Sequence, residues 1–176
     1  PGGVPYAAET RPIWTNASDT YTPPVKGDYG RATLPDTKSF TGNRVSLWRW
    51  RDDFQNDFAA RMNWATKPYK EANHPPVPVL ATPDVITIKS GEGFGLSARG
   101  SYDPDGDNLS YFWFQYPETG TSEPLVKMTA QNTDGVWITA PEVSKTQTLH
   151  FIVRVTDKGT PPLSRYKRIT VIVQPK

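Results

Sequence analysis

The chain has 176 residues and no cysteine, which excludes disulfides, thiolate metal sites and cysteine nucleophiles. Its 20 Lys and Arg against 18 Asp and Glu leave a formal charge of +2, with both signs interleaved, so it carries no electrostatic footprint for nucleic acid or an anionic membrane. Eighteen Pro and thirteen Gly point to short strands joined by many turns, and no apolar run approaches the ~20 residues that span a bilayer.

The opening PGGVPYAAET has neither a basic start nor an apolar run. It does not read as a signal peptide, and the chain is expected to begin inside a longer protein. From Pro1 to about Phe40 the sequence is extended and loop-like, with Arg11-Pro12-Ile13-Trp14 as a patch able to pack. Asn16-Ala17-Ser18 and Asn108-Leu109-Ser110 fit the glycosylation acceptor pattern, a triplet that also arises by chance. Phe54, Phe58, Arg61 and Met62 then recur at helical spacing, with Trp50 one turn earlier, which predicts one helix from Leu47 to Trp64. Asp52 and Asp53 near its start and Arg61 near its end suit the helix dipole, and Pro68 closes it. A lone helix this aromatic cannot bury its own face, so it is expected to dock on the domain that follows, on the preceding loop, or on a further part of the parent protein. The prolines of His74-Pro75-Pro76-Val77-Pro78 force an extended path and place a domain border near His74. Residues 1–75 then form a loop-rich segment with a helix, and 76–176 a second domain.

Beyond the border, strands are expected at Val85 to Ile88, Phe94 to Ala98, Leu109 to Tyr116, Val126 to Ala130, Gly135 to Thr139, Thr148 to Asp157 and Arg165 to Val173. Leu149, Phe151, Val153 and Val155 alternate with His150, Ile152, Arg154 and Thr156, the mark of a half-buried strand. The stretch LSARGSYDPDGDNLSYFWFQY, Leu96 to Tyr116, sets two strands around an acidic turn, and a strand-borne Trp after such a loop suits a core between two sheets. The fold class expected is mainly β: an immunoglobulin-like antiparallel β-sandwich, preceded by the loop-rich segment and its one α-helix.

Two stretches carry a resemblance to known families. SYDPDGDNLSYFWF, followed by APEVSKTQTLHFIVRVTDKG and a final strand, resembles the polycystic-kidney-disease-type and cadherin-like sandwich modules of exported bacterial proteins. RPIWTNASDT, SLWRWRDDFQNDFAARMNW and ANHPP ahead of it resemble the C-terminal part of a bacterial family named for cellulose binding, most sharply from Trp48 to Trp64. Members of that family join a nucleoside-hydrolase-like domain to a C-terminal sandwich. The resemblance implies a secreted, periplasmic or cell-surface protein, a cellulose-like polysaccharide partner, and an upstream hydrolase-like domain in the same parent chain. The acidic ligands of a nucleoside-hydrolase metal site lie near the beginning of such domains, and no such cluster occurs in this sequence, so no catalytic residue carries over.

Read as chemistry, Asp103, Asp105 and Asp107 put carboxylates at alternate positions of one loop, and Asp157 after a later strand can reach the same end of the sandwich. Hard oxygen ligands of this kind suit a structural calcium ion. The spacing is not an EF-hand, because the position of the bidentate Glu falls at Phe114. The simpler reading has these side chains cap a tight turn. Trp113 reads as core, whereas Trp137, between Val136 and Ile138, can face either way. Phe112, Phe114 and Tyr116 give the other face of their strand an apolar character, to be covered by the helix carrying Phe54, Phe58 and Trp64 or left open as a platform for sugar rings. The ligand-binding candidates are therefore Trp137, Tyr116, Phe112 and Phe114 on the sandwich, and Trp14 and Tyr21 in the preceding loops. His74 and His150 belong to no metal-spaced pair and read as structural. No Ser sits in a nucleophile elbow, and Asp52, Asp53 and Asp57 suit a solvated helix start better than acid chemistry. Arg49 and Arg51 between Trp48 and Trp50 suit a cation–π packing better than base stacking. The functional expectation is a non-catalytic carbohydrate-binding module, and the alternative is a scaffold that completes the upstream domain.

Overall fold

The computed structural model describes residues 19–21, 40–42, 50–116, 120 and 125–176. The chain forms two compact units, one of Pro1–Tyr29 with Thr33–Gln55 and one of Gly30–Ala32 with Asn56–Lys176. In the first unit, β1 (Asp19–Tyr21) pairs antiparallel with β2 (Phe40–Gly42).

The helix α1 spans Arg51–Thr66, and the Trp50 carbonyl accepts the Phe54 N–H at its first turn. Expected residues 47–49 lie outside the described residues. Its far end runs to Thr66, whose hydroxyl donates back to the Met62 carbonyl, and Pro68 then stops it. Of the docking surfaces expected for its aromatic stripe, the sandwich does not bury Phe58 or Met62, and the preceding loop lies outside the described residues. Only Ala60 of the helix is buried, while Phe54, Phe58 and Met62 are all more than half exposed. What ties α1 to the sandwich is polar: Arg165 on the last strand reaches Asp57 at 2.9 Å, and Arg61 joins the same carboxylate at 2.7 Å.

Among the described residues the sandwich contains seven strands in two sheets. They are β3 (Val85–Lys89), β4 (Gly93–Ser97), β5 (Ser110–Gln115), β6 (Met128–Thr129), β7 (Gly135–Thr139), β8 (Gln147–Thr156) and β9 (Ser164–Gln174). One sheet has the order β3-β9-β8-β5 and the other β4-β7-β6. All pairs are antiparallel except β3 with β9, which run parallel from Val85 opposite Thr170 to Lys89 opposite Gln174. The first and last strands thus lie side by side, with β3 at the sheet edge and β9 between β3 and β8, a pairing that alternation along either strand cannot reveal.

The two sheets close on one core. Leu149, Phe151, Val153 and Val155 of β8 and Ile169, Val171 and Val173 of β9 are fully buried, as the period of two predicts, and face Phe94, Leu96, Val136 and Ile138 of the opposite sheet. Trp113 is fully buried between them. Its indole N–H donates to the Thr133 carbonyl at 3.0 Å, so the core gains a large ring without an orphaned donor. Gln115, two residues on, is also buried and accepts the Val126 N–H through its side-chain carbonyl at 2.8 Å. Nothing in the alternation singles it out, because a polar residue at an inward position reads as the end of a strand.

Candidate functional site

Two surfaces of the sandwich unit carry the candidate residues. The first is the outer face of the β4-β7-β6 sheet. Val136 and Ile138 point inward, so Trp137 points out and is 55% exposed. Gly95 lies directly across from it on β4, Gly93 pairs with Thr139, and Thr129 of β6 pairs with Trp137 on the other side. A Cβ added at Gly93 would stand 2.8 Å from Cζ2 of the indole, and one at Gly95 would stand 3.5 Å from Cε3. The ring therefore lies along the sheet over both glycines instead of standing up from it. The residues around it on this face, Ser97, Thr129 and Thr139, carry hydroxyls.

The other sandwich candidates do not join Trp137. Trp113 and Gln115 are the buried residues of β5, so Phe112 and Phe114 face out from the four-stranded sheet, on the opposite side of the molecule. They stack on each other with centroids 5.9 Å apart, and the Arg154 guanidinium lies 5.7 Å from the Phe112 ring. The face is half-buried, and Phe58 of the helix is 63% exposed. Tyr116 is half-buried beyond the end of β5. Trp14 lies outside the described residues, as does the side chain of Tyr21 in β1.

The second surface is the end of the sandwich at the acidic turn. Asp103 Oδ1 accepts the N–H groups of Asp105 at 2.8 Å and Asp107 at 3.2 Å, and Gly106 sits at φ +83° where the turn needs a left-handed residue. Asp105 turns outward to the segment before the sandwich. It accepts the His74 main-chain N–H at 2.6 Å and faces the His74 Nδ1 at 3.0 Å. The His74 ring in turn stacks against Tyr69, with centroids 3.7 Å apart, and lies 5.9 Å from and nearly parallel to Trp64.

Asn73 makes the matching link one residue earlier. Its carboxamide donates to Asp157 Oδ2 at 3.1 Å and to the Pro161 carbonyl at 2.8 Å, while its own carbonyl accepts the Trp64 indole N–H at 2.7 Å. Asp157 is 2% exposed, and its Oδ1 takes the N–H groups of Gly159 and Leu163, each at 3.0 Å. Burial pushes its carboxyl above the ordinary value, against the pull of the Leu163, Gly159 and Asn73 hydrogen bonds, and the neighbouring Asp103 charge adds to the rise. Asp103 is thus near enough to Asp157 for its charge to be felt. His74 is the satisfied structural histidine expected. Asn73 and Tyr69 carry no sequence signal, since a lone Asn or Tyr ahead of a proline-rich stretch marks nothing.

The carboxylates do not fit a calcium cage as they stand. Calcium needs six to eight oxygens turned to one point. Here Asp105 is spent on His74, Asp157 on three protein donors and Asp103 Oδ1 on the turn itself, which leaves the Asp107 carboxylate uncommitted among the described residues. Asp103 Oδ2 is the one buried side-chain oxygen without a protein partner among the described residues, and these contain no group of three or more acidic or His side chains placed to hold a metal ion.

A chitinase A of Pseudoalteromonas piscicida is 31% identical over 99 residues, 56% of this chain and 11% of that protein. A solved nucleoside hydrolase-related hypothetical protein from Saccharophagus degradans, described as associated with carbohydrate metabolism, aligns over 80% of this chain and 36% of its own at 32% identity, with a TM-score of 0.69. This chain therefore spans about a tenth of the first protein and about a third of the second. A PKD domain solved in solution aligns over 55% of this chain and 84% of its own, at 24% identity and a TM-score of 0.38. The resemblance read from the sequence stands: residues 93–174, from β4 to the end of β9, match the family described as "Cellulose-binding protein Sde0182, C-terminal domain".

Proposed function

We propose that the sandwich is a non-catalytic carbohydrate-binding module of an exported protein, taking cellulose or a related plant glucan on the outer face of the β4-β7-β6 sheet. The observation that carries this reading is Trp137, a large ring more than half exposed and laid along a sheet over two glycines. An exposed indole on a soluble domain costs apolar hydration unless a partner covers it. A flat ring on a flat face suits the C–H face of a pyranose; Thr139 lies beside it on the same strand, and Thr129, whose hydroxyl donates to the Trp137 carbonyl, keeps its oxygen as an acceptor for the sugar's rim. The family description and the chitinase relative support the substrate class.

The test is retention on insoluble cellulose, chitin and xylan. Wild-type protein is expected to be retained on cellulose, and Trp137→Ala to weaken retention by about fivefold, in keeping with the roughly 1 kcal/mol of an aromatic stacking contact. Retention on none of the three, with the fold intact by circular dichroism, overturns the reading.

A second reading, a scaffold for an upstream nucleoside-hydrolase-like domain, is favoured by the alignment of 80% of this chain with part of the nucleoside hydrolase-related protein. It predicts that adding this chain raises the melting temperature of the separate upstream domain.

A further inference from the structure

Between the segment that precedes the sandwich and the acidic turn lies a cleft of about 520 Å³, lined by Tyr69, Lys70, Asn73, Asp105, Asp107 and Gly159, among others. That volume falls within the range of about 300–1,000 Å³ usual for small-molecule sites. Tyr69 is 65% exposed although one face of its ring rests on His74, so its other face is open. Asp107 is half-buried, and its carboxylate has no hydrogen-bond partner among the described residues. The floor is held in place from behind, because Asn73 is locked to Asp157 and Pro161 and packs directly on Gly159.

From this arrangement we infer that the cleft is a saccharide subsite, separate from the Trp137 face, in which a neutral pyranose stacks on Tyr69 and donates hydroxyl hydrogen bonds to Asp107. The inference rests on the carbohydrate-binding reading and adds a second place and a different form of ligand. Three carboxylates, Asp105, Asp107 and Glu71, against the ammonium of Lys70 disfavour an anionic ligand such as a uronate or a phosphate. Hydroxyl groups are the donors that a free carboxylate and a lone aromatic face can hold together. The shape adds a distinction: an open sheet face suits the surface of a fibre, whereas a cleft of this size admits one or two sugar residues, as at a chain end or in a soluble oligosaccharide. The pre-stacked Tyr69 and the clamped Asn73 mean that little side-chain freedom is lost on binding.

The test is calorimetric titration of the 176-residue chain with cellobiose, cellotetraose and N,N′-diacetylchitobiose, beside retention on insoluble cellulose. Tyr69→Ala and Asp107→Ala are each expected to weaken oligosaccharide binding by about tenfold, Tyr69→Phe to preserve it, and Trp137→Ala to leave it unchanged while lowering retention on the solid. Asp107→Ala guards against a loosened His74 in the Tyr69 variant, since Asp107 makes no side-chain bond that the fold uses. If wild-type protein is retained on cellulose but binds no oligosaccharide, or if both cleft variants bind oligosaccharide like wild type, the cleft assignment is overturned and the Trp137 reading survives. Loss of oligosaccharide binding in Trp137→Ala alone overturns it as well. Absence of both kinds of binding overturns the two together.

Discussion

Asn73→Ala would remove the clasp between the pre-sandwich segment and the buried Asp157 while leaving the main-chain carbonyl that accepts the Trp64 indole N–H. Two hydrogen bonds go, at 3.1 Å to the Asp157 carboxylate and at 2.8 Å to the Pro161 carbonyl. A bond to a charged group contributes about 1.5–3 kcal/mol and a neutral one about 1 kcal/mol. Asn73 is only half-buried, so water recovers part of this, and the net cost at pH 7 should be about 2–3 kcal/mol. For a unit of this size that corresponds to a fall in Tm of about 6–12 °C. The pH dependence is the sharper check. Asp157 already titrates above its ordinary 3.8 in the folded protein, and Asn73 is one of the groups pulling it down. A folded pKa above the unfolded one means that the native state binds the proton more readily, so this group's relative contribution to stability is greatest below the unfolded pKa and is lost as pH rises through the folded pKa. Removing Asn73 raises the folded pKa further. The cost of the substitution should therefore be largest where Asp157 is charged and shrink as the pH falls toward its unfolded value. Urea denaturation of wild type and Asn73→Ala at pH 7 and pH 4 measures both. An unchanged midpoint at pH 7, or an equal loss at the two pH values, would refute the clasp.

Three further outcomes follow from the same geometry. Gly93→Ala should lift or tilt Trp137, because its Cβ would stand 2.8 Å from the ring; a shift in indole fluorescence with a cost of about 1–2 kcal/mol is expected, and unchanged emission would show that the ring does not lie on the glycines. At Asp57 burial alone would raise the carboxyl, but the hydrogen bonds and charges of Arg61 and Arg165 outweigh it and hold it below its ordinary value, so its contribution is present above the unfolded pKa and lost as pH falls through the folded one. Asp57→Asn should then cost about 1 kcal/mol or less at pH 7 and nothing near pH 2, by thermal melts at each pH. Since calcium would have to take Asp105 from His74, melting midpoints recorded with calcium and with chelator are expected to coincide, and a rise in calcium would show that the turn reorganises around the ion.

Much of the sandwich is legible in the amino-acid sequence, because inward and outward positions repeat every two residues and that period is a property of the strand itself. The buried rows of β8 and β9, the core position of Trp113 and the tight acidic turn all follow from residues within ten positions of one another. Period also places Trp137 opposite its neighbours Val136 and Ile138. It does not say which of the two sides is core, since Trp137 is as apolar as Val136 and Ile138, and only the packing of Val136 and Ile138 against the four-stranded sheet decides that the indole lies outside over Gly93 and Gly95. The helix shows the same limit in reverse. Its spacing locates α1, but Phe54, Phe58 and Met62 are more than half exposed and its attachment to the sandwich runs through Asp57, Arg165 and the Trp64–Asn73 link. Asp105 with His74 and Asn73 with Asp157 join residues 31 and 84 positions apart. A sequence carries the local period that sorts side chains onto faces, whereas the partner each face meets is set by long-range strand pairing and chain closure, and so the clasp, the cleft and the parallel β3–β9 pairing belong to the tertiary structure alone.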